Sequence, residues 1–360
     1  MEHGNGSVEI SWFAALCDDD FEYLGQIDPT LQSSWDHCRD IALTAQAGGF
    51  DNILLPSGYQ LGIDVTAFAS GIAPMLDRMH VLAAVRAGEL WPPQLARQLA
   101  SLDQMIGGRL TVNIISSNIP GQDLDGPERY ARTLAVMTII RELLDGRAVS
   151  HHDQYFDFDI DPPTISTVSG TCPPLYFGGL SHEAREVAAQ SADVYLMWPD
   201  RMENVIELIA DMRKRAANYG RTLRFGYRSH VIVRESEAAA RDEAVRLLSR
   251  LDPDEGENIR LRSLDANSVG VTRQTELRDS ADSDGFVEEN LWTGIGRARS
   301  GCGAAIVGDP DQVVRKIGAY QALGIEAFIF SGYPHDSQAR RVSLDVLPAL
   351  NHAPLKPRMI

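Results

Sequence analysis

Short apolar runs alternate with longer amphipathic stretches along most of this chain, a pattern typical of parallel strands separated by helices. Eight of the runs have the length of buried strands, and they cover residues 8–16, 51–55, 81–85, 110–115, 175–178, 194–198, 225–233 and 327–331. Helical spacing lies between them at residues 35–47, 92–105, 128–144, 181–191, 201–219, 235–251 and 310–323. Because eight parallel strands close into a barrel, the pattern predicts an α/β fold, a (β/α)₈ TIM barrel.

Two connections are longer than ordinary turns. Residues 147–174 include a stretch that alternates like a strand pair, which predicts an inserted hairpin after the fourth helix. Residues 252–305 are polar and carry both signs of charge, so we expect a mobile lid over the active face. Because TIM barrels have a typical length of about 250 residues and grow by loop insertion, we interpret residues 1–360 as one domain carrying both insertions.

The charge of the chain narrows its possible partners. Its 360 residues carry a formal net charge of −17, which argues against nucleic acids and anionic membranes, because both bind basic surfaces. A small-molecule substrate remains. If that substrate is an anion, the overall field repels it, and its site must depend on a few local arginines.

The cysteine spacing indicates whether the chain binds a metal, and the N-terminal sequence indicates its cellular compartment. Cys17, Cys38, Cys172 and Cys302 are scattered without a CxxC spacing, so we expect reduced thiols and no metal site. The chain shows neither a leader-like start nor an apolar run of about 18 residues. We therefore expect a cytoplasmic protein.

Polar residues at the predicted strand ends are the candidates for chemistry, because these ends meet at one mouth of a barrel. Arg228 and His230 are two residues apart and project from the same face of an apolar strand. Burying such a pair is costly. A functional pair and a satisfied structural pair remain equally open on spacing alone.

A strand, a glycine turn and a helix start follow one another at Gly178, Gly179 and Ser181, an arrangement that can bind phosphate through free backbone amides. The simpler reading is a tight turn with Ser181 as the helix cap. Trp198 ends the sixth strand, where its ring could face a flat ligand or belong to the core. Tyr333 follows the eighth strand, where it could donate a proton or a hydrogen bond or form part of a turn.

Several segments at these strand ends, in this order, match a known family. They include SWF (11–13), YLG (23–25), ERY (128–130), PLYFGG (174–179), FGYRSHVIVRE (225–235), NLWTG (290–294) and SGYPH (331–335). The chain resembles the luciferase-like flavin monooxygenases, and within them the alkanesulfonate monooxygenases, over nearly its whole length. It lacks the GxGxxG and GxxxxGK[ST] motifs of dinucleotide-binding folds and P-loops.

The resemblance implies a two-component monooxygenase that uses O₂ and reduced FMN (FMNH₂), supplied by a separate NAD(P)H:FMN reductase. It assigns substrate and flavin contacts to Trp198, Arg228, His230, Arg299 and Tyr333. Residues along the flavin would be Asn113, Ser116, Ser117, Tyr130, Gly178, Gly179 and Ser181. It also implies a homodimer or homotetramer, and it makes alkanesulfonate desulfonation to an aldehyde and sulfite the leading activity.

The chain departs from the family on the substrate side. Cys17 stands where the sulfonate enzymes carry a histidine, and Tyr59 stands near where they carry an arginine and a cysteine. The acidic residues 18–20 beside Cys17 disfavour a small, doubly charged anion. Alternatives therefore stay open: a tailoring oxygenase of a carbonyl or C–S compound, a deazaflavin-dependent oxidoreductase, or a flavin-binding protein without catalysis.

Overall fold

The computed structural model describes residues 6–261 and 268–356. The strands are β1 (Glu9–Phe13), β2 (Asn52–Leu55), β3 (His80–Arg86), β4 (Leu110–Ile115), β5 (Val149–His152), β6 (Asp157–Ile160), β7 (Leu175–Phe177), β8 (Val194–Met197), β9 (Arg224–Val233), β10 (Phe286–Glu288), β11 (Leu291–Trp292), β12 (Ala305–Gly308) and β13 (Ile325–Ser331). The α-helices are α1 (Trp35–Gly48), α2 (Val65–Ile72), α3 (Pro92–Met105), α4 (Gly126–Leu144), α5 (His182–Ser191), α6 (Met202–Asn218), α7 (Glu237–Leu248), α8 (Pro253–Leu261), α9 (Val269–Asp279), α10 (Pro310–Ala322) and α11 (His335–Asp345).

Eight parallel strands form a closed barrel in the order β1, β2, β3, β4, β7, β8, β9 and β13. The pairing of β13 with β1 completes the cylinder. All eight predicted strands are barrel strands, so the TIM-barrel prediction is confirmed. Because the carboxyl ends of parallel strands share one rim, the candidate polar residues are carried to the same mouth.

The helices other than α8 and α9 lie outside the barrel and bury one face against it, whereas α9 covers its mouth. In α1, Ser34 caps the first turn by accepting a hydrogen bond of 3.2 Å from the His37 amide. The helix stops at Gly49, whose φ of 91° suits a residue without a side chain. Trp12 and Phe50 pack beneath α1 with ring centroids 5.1 Å apart. The apolar layer between strands and helices is thus continuous.

Strand β9 is longer than its neighbours and changes partners along its length. Residues 224–227 pair with β8, and residues 230–233 pair with β12. On its other edge β9 stays paired with β13. The barrel wall therefore divides at Arg228 and Ser229, where β8 and β12 separate.

Residues 147–174 contain the antiparallel pair β5–β6. Phe158 of this hairpin packs against Trp91 with ring centroids 5.6 Å apart, so the hairpin is held against the barrel's outer helices.

The described part of residues 252–305 contains regular structure that the sequence pattern did not reveal: α8, α9 and the pair β10–β11. Residues 262–267 of this predicted lid lie outside the described residues. The missed helices have little apolar periodicity, because α9 buries only Gly270, Gln274 and Leu277. Among the described residues, no helix has the length and apolarity needed to cross a membrane.

Candidate active site

A cavity of about 270 Å³ opens at the carboxyl ends of β4, β7 and β8, under α9. Six of the seven residues predicted to lie along the flavin line this cavity: Asn113, Ser116, Tyr130, Gly178, Gly179 and Ser181. Trp198 lines it as well. We call this space the first cavity.

Ser117 does not line the first cavity. Its side chain is buried, and its hydroxyl lies 3.4 Å from the carbonyl oxygen of Asn118. The neighbouring Ser116 does line it, and its hydroxyl accepts a hydrogen bond of 2.8 Å from Thr133 of α4. Both serines follow the end of β4, but their side chains differ in environment. Only Ser116 lines the first cavity, so only Ser116 could contact a ligand there.

The turn between β7 and α5 has the form of an anion site. Gly179 adopts a φ of 142°, and its carbonyl accepts a hydrogen bond of 2.7 Å from the Tyr195 hydroxyl. A side chain at Gly179 would come within 2.7 Å of the Ala184 Cβ, so glycine is required there. Ser181 caps α5 by accepting from the Ala184 amide at 3.1 Å. The positive end of α5 thus borders the first cavity.

The opposite part of the first cavity is apolar. Leu196, Met197 and Trp198 form one wall, and α9 covers it. The described part of residues 252–305 forms the cover of this mouth, and we call it the covering segment. Its backbone lies directly on the Trp198 ring, because a Cβ at Gly270 would stand 2.9 Å from the ring and one at Gly301 would stand 3.2 Å from it. A cavity with an apolar wall and an anion-binding end suits a flat heterocycle that carries a phosphate.

Arg228 and His230 meet at the point where the barrel wall divides, joined by Ser331 of β13. The Ser331 hydroxyl accepts a hydrogen bond of 2.8 Å from Arg228 Nη2 and lies 2.8 Å from His230 Nδ1. A second Arg228 nitrogen, Nη1, donates to the Ser229 carbonyl at 2.7 Å. Both acceptors are neutral, and no carboxylate of the described residues pairs with Arg228. Its buried positive charge therefore has no acidic hydrogen-bond partner among the described residues.

Burial sets the protonation of this pair. Desolvation and the neighbouring Arg228 and Arg299 charges hold the pKa of His230 well below its ordinary value, so the imidazole is neutral near pH 7. Desolvation lowers the pKa of Arg228 to about 10, which leaves the guanidinium charged near neutral pH. His230 Nε2 is buried and has no hydrogen-bond partner among the described residues.

Arg299 reaches the same rim from the covering segment. Its Nη1 pairs with Asp19 Oδ2 and donates to the Tyr333 hydroxyl at 2.9 Å. Although burial opposes it, the Tyr333 and Asp19 side chains raise the pKa of Arg299, so this guanidinium stays charged. Desolvation raises the pKa of Tyr333 to about 12, which keeps the phenol protonated.

Phe13 links the two arginines. Its ring centroid lies 4.5 Å from Arg228 Cζ and 5.2 Å from Arg299 Cζ. Tyr333 packs beside His230 with ring centroids 5.2 Å apart. Arg228, His230, Arg299 and Tyr333, predicted from distant parts of the sequence, thus form one cluster, and Trp198 meets the same covering segment through Gly301.

A second cavity of about 230 Å³ lies beside this cluster. Cys17 and Tyr59, predicted on the substrate side, line it together with Arg299. Burial and the Asp19 charge raise the pKa of the Cys17 thiol to about 12, so it is not a thiolate. Cys17 packs under the loop after β2, where a Cβ on Gly58 would lie 3.1 Å from its sulfur. Its observed contacts are those of a packing residue.

Sequence reasoning did not assign Asp19 or Phe13 to the site, and it noted Ser331 only as one of the polar residues at the strand ends. Asp19 was visible only as part of an acidic run, and its pairing with Arg299 joins residues 280 positions apart. Phe13 resembles any apolar strand residue in the sequence. Ser331 had one available signal, because it ends the eighth strand opposite His230 in the β13–β9 pairing.

The TIM barrel and the residues gathered at its mouth define the protein family. The luciferase-like monooxygenase family model matches residues 10–327, and the chain belongs to that family of O₂-using monooxygenases. The chain is 62% identical to a sulfoquinovose monooxygenase of Novosphingobium aromaticivorans over 356 residues, covering 97% of this chain and 98% of the relative. It is 46% identical to a sulfoquinovose monooxygenase of Agrobacterium fabrum, covering 96% and 90%.

A solved structure shares the fold at much lower identity. The EDTA monooxygenase of Chelativorans superimposes with a TM-score of 0.78 at 16% identity, covering 96% of this chain and 93% of that one. The overall fold is therefore shared between proteins whose sequences have largely diverged.

Proposed function

We propose that this protein is the oxygenase of a two-component flavin system that converts a sulfonated sugar, sulfoquinovose, into an aldehyde and bisulfite. The reaction consumes one O₂ and two reducing equivalents: one oxygen atom becomes the aldehyde oxygen as the C–S bond breaks, and the other leaves as water. The observation that carries the proposal is the 62% identity to a sulfoquinovose monooxygenase over nearly both chains. A sulfonated sugar thus replaces the simple alkanesulfonate expected from the sequence.

The first cavity fits FMN. Its apolar wall at Leu196 and Trp198 would take the ring system, and the start of α5 with Ser181 and Tyr130 would hold the phosphate. Bound reduced FMN would supply the two electrons that the reaction needs. A separate NAD(P)H:FMN reductase would deliver it, as the resemblance to two-component monooxygenases implies.

The arginine cluster fits the sulfonate. Arg228 has no carboxylate partner among the described residues, and Arg299 Nε is buried without a hydrogen-bond partner. Both would bind sulfonate oxygens through charge-assisted hydrogen bonds. Neutral His230 offers its unpartnered Nε2 to the same group.

Tyr333 would move a proton. Its oxygen accepts from Arg299, so its own O–H remains available to a substrate oxygen. Because the phenol is protonated at neutral pH, it would donate a proton or hydrogen bond as the C–S bond breaks.

The segment 252–305 would act as the lid. Arg273 of α9 holds Asp200 beyond β8 through two hydrogen bonds of 2.6 and 2.9 Å, and Gln274 donates to the Pro199 carbonyl at 2.7 Å. These contacts close α9 over the first cavity. Opening them would admit flavin, and closing them would exclude water during oxygenation.

The test is bisulfite release. Purified protein, an NADH:FMN reductase, FMN, NADH and O₂ are incubated with sulfoquinovose, and bisulfite is measured against a reaction lacking the protein. We expect release from sulfoquinovose and loss of at least about 100-fold in Arg228→Met, which removes the charged anchor. Absence of bisulfite from the wild-type protein, or tighter binding of a deazaflavin than of reduced FMN, would contradict the proposal.

A further inference from the structure

The second cavity contains polar groups that no protein contact satisfies. Arg86 is only 4% exposed, and it donates from Nε to Glu89 at 2.8 Å and from Nη2 to the Ser57 carbonyl at 3.2 Å. Its Nη1 has no hydrogen-bond partner among the described residues. The same is true of Asp19 Oδ1 and the Ser300 hydroxyl.

Arg86, Asp19 and Ser300 all line this one cavity. A buried polar atom without a partner is costly, so three of them at one cavity indicate a ligand that completes their hydrogen bonds. The set combines an acceptor, a donor and a hydroxyl that can do either.

The polar groups of the second cavity disfavour a sulfonate as that ligand. Arg86 is paired with Glu89, Arg299 Nη1 is paired with Asp19 so that only its Nε remains for the sulfonate at Arg228, and Asp18 adds a further carboxylate to the lining. A sulfonate carries acceptors only and would be repelled by the unpartnered Asp19 oxygen. An alcohol hydroxyl donates to a carboxylate and accepts from a guanidinium, so it satisfies both. The lining therefore suits a neutral, hydroxylated group.

We propose that the second cavity is a sugar-hydroxyl subsite, in which Asp19, Arg86 and Ser300 read the ring hydroxyls of the substrate while its sulfonate lies at Arg228. This inference rests on the proposed function and adds to it the residues that distinguish a sulfonated sugar from a hydroxyl-free sulfonate. Ser300 lies between the two cavities. It lines the second cavity, and the next residue, Gly301, lies on Trp198, which lines the first cavity.

Two substrates test this subsite: sulfoquinovose and cyclohexylmethanesulfonate, which keeps the six-membered ring and the sulfonate-bearing methylene but lacks the hydroxyls. For the wild-type protein we expect kcat/KM to be at least about 100-fold higher with sulfoquinovose, because the analogue leaves buried polar groups unpaired. Ser300→Ala should raise KM for sulfoquinovose about tenfold and leave kcat unchanged. It should not alter either constant for the analogue.

Arg86→Met should show the same selectivity with a larger rise in KM, and Arg86→Lys should recover part of the loss. Ser101→Ala, an identical change on the exposed face of α3, is the matched control and should alter neither substrate's kinetics. Asp19→Asn is less selective, because Asp19 also pairs with Arg299.

The outcomes separate the two proposals. Bisulfite from neither substrate would overturn the proposed function and this subsite with it. Bisulfite from both at equal kcat/KM would leave the proposed function standing and overturn the subsite. Equal losses on both substrates in Ser300→Ala and Arg86→Met would also overturn it, since these residues would then support the fold or the sulfonate.

Discussion

Arg299 Nη1 donates a hydrogen bond of 2.9 Å to the phenolic oxygen of Tyr333, although the two residues belong to the covering segment and to the loop after the last barrel strand. The bond fixes the direction of the tyrosine proton, because the oxygen lone pair faces Arg299 and the O–H must point elsewhere. Tyr333 is thereby oriented as a donor.

Tyr333→Phe removes that donor and leaves the aromatic packing on Phe21 and His230 in place. We expect kcat for bisulfite release to fall by about 100-fold, with a much smaller change in KM, because Arg228 and Arg299 still bind the sulfonate. Steady-state kinetics measure this split. A rise in KM with kcat unchanged would show instead that Tyr333 only binds substrate.

Ser181 both caps α5 and lines the first cavity. Ser181→Ala tests these two roles against each other. Loss of the cap should lower the free energy of unfolding by about 1 kcal/mol and also weaken FMN binding, because Ser181 borders the first cavity. Ser236→Ala is the matched control, since Ser236 caps α7 in the same way by accepting from the Ala239 amide at 3.2 Å. It should lose similar stability and keep its FMN affinity, measured by flavin fluorescence. Equal FMN affinities in both variants would argue against a phosphate at α5.

The buried Arg228 makes a pH prediction. Its pKa of about 10 lies below the ordinary arginine value, so the guanidinium is charged below pH 10 and loses its proton above it. The dissociation constant for the sulfonated substrate should stay constant from about pH 7 to 9 and rise above about pH 10. Calorimetric titration without flavin measures this directly. A binding change centred between about pH 6 and 7 would contradict the neutral state assigned to His230.

The Arg273–Asp200 contact should control what fraction of the consumed O₂ forms product and what fraction is lost as hydrogen peroxide. Arg273→Met removes the two hydrogen bonds from Arg273 to Asp200 and leaves only the Gln274–Pro199 hydrogen bond of this contact, so the first cavity should admit water more readily. We expect less bisulfite and more hydrogen peroxide per reduced flavin consumed, measured in one reaction. Arg340→Met, which breaks an exposed ion pair with Asp336 on α11, is the control. An unchanged peroxide yield in Arg273→Met would argue against the lid role.

The barrel was predictable because each of its strands is an apolar run with a helix-like stretch behind it, and burial on both faces leaves that mark in the sequence. Helices α2 and α11 were missed for different reasons. The first has only eight residues, and the second is polar on most of its surface, so neither shows a long apolar stripe.

The candidate site was predictable where it depends on strand ends and not where it depends on the covering segment. Arg228 and His230 share a strand, so their common face follows from strand geometry. Arg299 came only from the family resemblance, because nothing local shows that a residue after α9 returns to the rim. The contact between Asp19 and Arg299 is tertiary and leaves no local signal.

The division of the barrel wall at Arg228 separates the part of β9 that closes the barrel from the part that pairs with β12. Residues 230–233 hydrogen-bond to β12, which directly follows the covering segment, while residues 224–227 pair with β8 in the cylinder. Sequence changes in the cover can therefore accumulate without disturbing the closure of the eight strands. A transplanted cover from a relative would bring its own Arg299 and Ser300 equivalents to an unchanged Arg228, while Asp19 and Arg86 would stay with the barrel, so only the part of the substrate range set by the cover should be exchanged.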